Sequence, residues 1–278
     1  MNNFLSNDLY TEHNRMELII IQNGLFGIGR TMTPLREQLA NSLNDKYQVV
    51  VCDTISFIQS RDGIRNCGIA LFDFVIRLTE ECQPLSISFI GLSFGGLIVR
   101  HCIGLLEGIG YFENVKPKCY ISCAAPHLGI TKCNNFMKGL ASGLAGQTAK
   151  DLLFQDSNHH RLPMLLKMSQ LGSKYMRGLD KFEKRVAYGN NDKDAHVPFV
   201  SSCFCPKLEE IFVVHSDKFV TFGRLDTIDF IGEKILDDIS TNLNSLTWTK
   251  KVIEFNTING LAHNLIMPKA VRHMVKYF

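Results

Sequence analysis

The segment Gly91-Leu92-Ser93-Phe94-Gly95 could make a nucleophile. It joins an apolar run, Leu85 to Ile90, to a helix-like stretch through Leu97, Ile98, Val99 and Ile103. A serine on a tight strand-to-helix turn has its hydroxyl lifted clear of the backbone, with the positive end of a helix behind it. Flanking glycines let strand and helix approach closely and tolerate strained backbone. A serine hydroxyl needs a base, and the base needs an orienting group. Asp192 and Asp194 follow a strand-like Arg185-Val186-Ala187-Tyr188, and His263 follows a strand-like Lys251 to Phe255. The order Ser, Asp, His, each after a strand, fits acyl transfer through an acyl-enzyme.

The elements that must position these residues are legible as alternating strands and helices. Met16 to Ile21 is a continuous apolar run, expected as a strand buried on both faces. It enters a glycine-rich loop, Gln22 to Gly27. A helix is expected from Pro34, with Leu35, Leu39 and Leu43 on one face. Tyr47 to Cys52 reads as a second buried strand. Ile64 to Leu78 reads as a helix whose inner face carries Ile69, Phe72, Val75 and Ile76. Further strands are expected at Leu85–Ile90 and Lys118–Cys123. This rhythm specifies parallel βαβ units with right-handed crossovers. A hairpin is expected at Ile211 to Val214 and Phe219 to Phe222.

The chain has 278 residues, 45% hydrophobic and 21% charged, with a formal net charge of +3. That composition excludes disorder, collagen and coiled coil. It gives no electrostatic reason to expect nucleic acid as a partner. Nine cysteines without a Cys-x-x-Cys spacing point to reduced, buried thiols and a cytoplasmic protein. Met1 to Arg15 lacks the apolar core of a signal peptide, and no run is long enough to cross a membrane. Gly24, Gly27 and Gly29 do not complete a dinucleotide fingerprint, and no Gly-Lys-Ser/Thr occurs. No cofactor or metal is expected. His159 and His160 have no companion ligands and read as exposed, as does His196. His101 reads as helix surface or packing, and His127 as a residue that packs or positions a lid.

Several blocks together resemble the serine esterase family of lipase-like α/β-hydrolases. They are Gln22-Asn23-Gly24-Leu25, Gly91 to Leu97, Ala125-Pro126-His127-Leu128-Gly129, Asp194-Ala195-His196-Val197-Pro198 and Leu261-Ala262-His263. The resemblance implies an α/β-hydrolase fold: a mostly parallel central sheet flanked by helices. It implies Ser93 as nucleophile, His263 as base and Asp194 as the acid that orients it. The register against Val197-Pro198 favours Asp194 over Asp192. The backbone N–H groups of Leu25 and Phe94 would hold the oxyanion. Many relatives carry His-Gly in the first loop, so either Gln22 stands for that histidine or the loop holds an extra residue.

The expected organisation is one domain over 1–278, with residues about 130–183 as a helical cap. Leu152, Leu153, Phe154, Leu162, Met164, Leu165, Leu166, Met168, Leu171 and Met176 make that cap apolar. They either line an acyl pocket or pack the cap onto the core. The expected activity is hydrolysis of a lipid or other hydrophobic ester by a serine esterase or lipase. The apolar cap leaves room for peripheral contact with a membrane or lipid droplet. An acyltransferase or thioesterase with the same triad is the alternative, and a non-catalytic lipid- or partner-binding protein of the same fold is another. Oligomeric state is not legible.

Overall fold

A computed structural model describes residues 16–130, 145–157, 161–190, 194, 197–205, 233–253, 266 and 270–278. The expected hairpin, Asp192, His159, His160, His196 and His263 lie outside the described residues.

Among the described residues six parallel strands form one sheet in the order β2-β1-β3-β4-β5-β6. They are β1 (Glu17–Gln22), β2 (Tyr47–Val51), β3 (Ser86–Leu92), β4 (Lys116–Cys123), β5 (Lys184–Asn190) and β6 (Thr249–Ile253). β1 is buried at every position because it lies inside the sheet, between β2 and β3. β2 has the same apolar character but stays half-buried throughout, which corrects the expectation of a fully buried strand. Among the described residues it is an edge strand, with a neighbour on one side only.

Helices α1 (Thr33–Ser42), α2 (Gly63–Cys82) and α3 (Phe94–Gly108) supply the crossovers. Leu35 and Leu39 of α1 are buried as expected, against the face of the sheet that carries Ile19 and Ile21. α2 is longer than expected, and its face is rotated. Ile64, Cys67, Gly68, Leu71 and Val75 are buried, whereas Ile69 is exposed and Phe72 and Ile76 are half-buried. α3 is buried almost all round, from Phe94 to Gly104 without a break.

Between β4 and β5 the described chain holds three short helices, α4 (Gly146–Leu152), α5 (Met164–Ser169) and α6 (Lys174–Asp180). α4 packs on α2, and α6 on α3. Leu152, Met164, Leu165, Met168 and Met176 are buried in the main core cluster, whereas Leu162 and Leu171 are exposed. α7 (Phe199–Ser202) follows β5, and α8 (Glu233–Asn244) precedes β6 and packs on α5. No helix among the described residues is long and apolar enough to cross a membrane.

Candidate active site

Ser93 occupies the turn between β3 and α3 with φ 53° and ψ −129°, a conformation that side chains other than hydrogen tolerate poorly. Its N–H donates to Cys123 O at 2.7 Å, tying the turn to the end of β4. The next strand is tied in the same way, by Ala124 N–H to Tyr188 O at 2.7 Å. The carboxyl edges of β3, β4 and β5 are thereby stitched side by side beneath the serine.

Glycine is required where the first loop meets this turn. A methyl group on Gly95 would lie 2.5 Å from the carbonyl oxygens of both Gln22 and Asn23. One on Gly24 would lie 2.9 Å from Ser93 Cβ and 3.0 Å from Leu92 O. The loop after β1 therefore presses directly on the candidate nucleophile. Leu25 is the next residue, and Phe94 begins α3, where the first N–H groups have no partner within the helix. Among the described residues neither amide N–H has a hydrogen-bond acceptor. The two candidate oxyanion donors thus come from separate segments, the loop after β1 and the first turn of α3, and both are uncommitted among the described residues.

Asp194 lies four residues beyond β5, half-buried. Its Oδ1 accepts the Val197 N–H at 3.0 Å and its Oδ2 accepts Asn190 Nδ2 at 2.6 Å. Those bonds hold the carboxylate at the carboxyl edge of the sheet, the edge that also carries Ser93. β6 runs parallel to β5 and ends at Ile253 on that same edge.

The Ala125 to Gly129 block is pinned and fully buried. His127 N–H donates to Ser201 O at 3.1 Å, Leu128 N–H to Ser201 Oγ at 3.1 Å, and Ser201 Oγ to Gly129 O at 2.6 Å. The His127 ring sits between Arg100 and Ser122, with Phe204 and Trp248 edge-on to it. Burial, with Arg100 beside it, holds this imidazole well below the usual histidine range. Arg100 also donates to Met168 O at 3.3 Å and Ser169 Oγ at 3.1 Å, joining α3 to α5. Burial pushes its guanidinium down to about 10.

Arg100 and Ser201 were not singled out from the sequence. Arg100 carried a usable signal: it interrupts Leu97-Ile98-Val99 and Cys102-Ile103 on a helix buried on every side, where a charge needs partners. Ser201 carried none. Among the described residues no three of His, Cys, Asp and Glu gather where they could hold a metal ion.

The sheet order, the parallel pairing and the serine turn define an α/β-hydrolase. Solved structures of that class share the fold. A lipase-esterase related protein from Clostridium acetobutylicum superposes with a TM-score of 0.50 at 12% identity, covering 95% of this chain and 96% of that one. A bromoperoxidase from Bacillus anthracis gives 0.51 at 13% identity, covering 94% and 91%. Residues 12–206 match the family described as Putative serine esterase (DUF676), and the chain belongs to that family. Putative lipase C4A8.10 of Schizosaccharomyces pombe is 26% identical over 200 residues, 66% of this chain and 26% of its own. Putative lipase ROG1 of Saccharomyces cerevisiae is 27% identical over 251 residues, 87% of this chain and 35% of its own. The chain thus spans about a third or less of the length of these relatives.

Proposed function

We propose that the chain is a serine carboxylic-ester hydrolase of the lipase type, acting through an acyl-enzyme on a hydrophobic acyl ester. The observation that carries this reading is the backbone of Ser93, held at φ 53° where β3 turns into α3. Strain in a turn costs stability, and it is explained when the strained residue presents a reactive group. Ser93 attacks the ester carbonyl, and His263 takes its proton and returns one to the leaving alcohol. Asp194 holds His263 in the productive tautomer and stabilises the imidazolium. The N–H groups of Leu25 and Phe94 receive the oxyanion, and each such donor contributes about two to three orders of magnitude in rate.

In this reading the residues from about 130 to 183 form a helical cap on one α/β-hydrolase domain. Burial of Leu152, Met164, Leu165 and Met168 in the main core cluster favours packing of the cap onto the core over lining of an acyl pocket. A hydrophobic ester fits the description of the two yeast relatives as putative lipases.

The test is labelling with a fluorophosphonate probe, wild type beside Ser93→Ala, together with hydrolysis of p-nitrophenyl esters of short and long acyl chains. The expected result is labelling and turnover in the wild type and neither in Ser93→Ala. Turnover retained in a folded Ser93→Ala protein overturns the nucleophile assignment. Absence of labelling in a folded wild type, with and without detergent, overturns the hydrolase reading.

A further inference from the structure

Gln22 and Asn23, at the end of β1, are both fully buried, with side chains that serve each other rather than the core. The Gln22 amide nitrogen donates to both carbonyl oxygens of Asn23: the main-chain O at 3.1 Å and the side-chain Oδ1 at 3.0 Å. One nitrogen thereby fixes both the peptide plane and the side chain of the next residue. The Asn23 amide is held inside the turn that follows. A methyl group on Gly27 would lie 2.7 Å from Asn23 Nδ2 and 3.1 Å from Gly24 O, and Gly24 O accepts the Gly27 N–H at 3.1 Å. The outer side of the same loop is held by Phe26 N–H donating to Ser60 Oγ at 3.0 Å. Gly24 and Leu25 lie between these two restraints, with Gly24 against Ser93.

This pair is a poor way to stabilise a protein. Gln22 Oε1 and Asn23 Nδ2 are buried without a hydrogen-bond partner among the described residues. Apolar side chains of similar shape at both positions would leave no side-chain polar atom unmet. We propose that Gln22 and Asn23 are a positioning pair: Gln22 clamps Asn23, and the clamped amide fills the turn from within and fixes the Leu25 N–H beside Ser93. Its catalytic consequence rests on the hydrolase reading above, in which that N–H faces the oxyanion. Neither side chain touches the reacting atoms; both act through the loop.

A purely structural role lowers stability alone, whereas a positioning role also lowers kcat in the folded variant. Gln22→Met removes the clamp and one unmet buried acceptor, and it leaves Asn23 O and Oδ1 without their donor. The expected result is a modestly lowered thermal midpoint, KM within about twofold, and kcat, measured well below that midpoint, lowered by about 10- to 100-fold, the scale of a small misplacement at a reacting centre. Gln22→His keeps an N–H donor and is expected to recover most of the lost rate. Hydrogen–deuterium exchange of residues 23–27 is read in the same proteins and is expected to accelerate in Gln22→Met. Unchanged exchange there overturns the clamp whether or not the serine reacts. Faster exchange with an undiminished kcat overturns its catalytic consequence. If the wild type neither labels with fluorophosphonate nor turns over ester, the hydrolase reading fails, and the exchange experiment still decides the clamp.

Discussion

The Arg100 guanidinium donates from Nη1 to His127 Nδ1 at 3.2 Å, and that bond fixes the histidine's tautomer. Arginine has no acceptor, so Nδ1 must be unprotonated and the proton must sit on Nε2, which donates to Ser122 Oγ at 3.0 Å. A buried cation and a neutral imidazole are thereby interlocked behind the Ser93 turn. The two halves are not equivalent. His127→Leu strands the guanidinium without one acceptor and should cost about 3 kcal/mol, whereas Arg100→Met removes the buried charge itself and should cost less. Urea unfolding of the two variants checks this; a more stable His127→Leu would refute the assignment of Arg100 as the costly member.

Strain at Ser93 makes a second prediction. At φ 53° every side chain pays a steric penalty that glycine avoids. Ser93→Gly should therefore be about 1 kcal/mol more stable than Ser93→Ala, although both remove the hydroxyl. Thermal unfolding of the pair gives the answer, and equal midpoints would mean the turn relaxes when the hydroxyl is gone.

The contact between Gly24 and Ser93 makes a third. A methyl group there meets Ser93 Cβ and the Leu92 carbonyl, so loop and turn must part by several tenths of an ångström. Gly24→Ala should lower kcat/KM by about 100-fold while leaving the sheet intact, because the displaced groups are the candidate nucleophile and oxyanion loop. Ester kinetics and circular dichroism together test it; wild-type kinetics would show that the loop is not held against the serine.

Stability should fall on mild acidification because of His101. Burial, reinforced by Lys174, Arg65 and Lys167, pushes this imidazole down to about 4 from an ordinary 6.5. Its Nε2 lies 3.3 Å from the Tyr175 hydroxyl, and its Nδ1 is buried without a partner among the described residues. The unfolded chain therefore binds a proton that the folded chain refuses. Stability is full above about pH 6.5 and declines as pH falls toward 4, by on the order of 3 kcal/mol at about 1.4 kcal/mol per unit. Denaturant midpoints from pH 7 to 4 for wild type and His101→Leu check this, the variant giving the flatter curve.

The sequence carried the sheet and the serine turn because both are written locally, in Met16 to Ile21 and in Gly91 to Gly95. What it did not carry depends on distant partners. The rotated face of α2 is one case. Apolar size favoured Ile69 and Phe72, but the helix turns Cys67 and Gly68 inward. A methyl on Gly68 would lie only 2.3 Å from His101 Nδ1, so α3 needs a residue without a side chain there. Small residues at a close helix contact look like weak signals in any apolar pattern. The half-exposure of β2 is another, because an edge strand and an inner strand can share one composition. Arg100 reaches His127 and Ser169, 27 and 69 residues away, and no local pattern announces such partners.

The docking of α4 on α2 has a consequence for protein engineering. Asp151 Oδ2 accepts the Ile64 N–H at 2.7 Å and Thr148 Oγ1 accepts the Gly63 N–H at 3.0 Å, while the same hydroxyl donates to Ser60 O at 2.7 Å. The first turn of a 20-residue helix that packs on the sheet is thus completed by side chains from the segment between β4 and β5. That segment is not an exchangeable module. A chimera that imports the corresponding segment from another hydrolase must bring an equivalent of Thr148 and Asp151 at the same spacing, or its recipient scaffold will inherit a frayed helix.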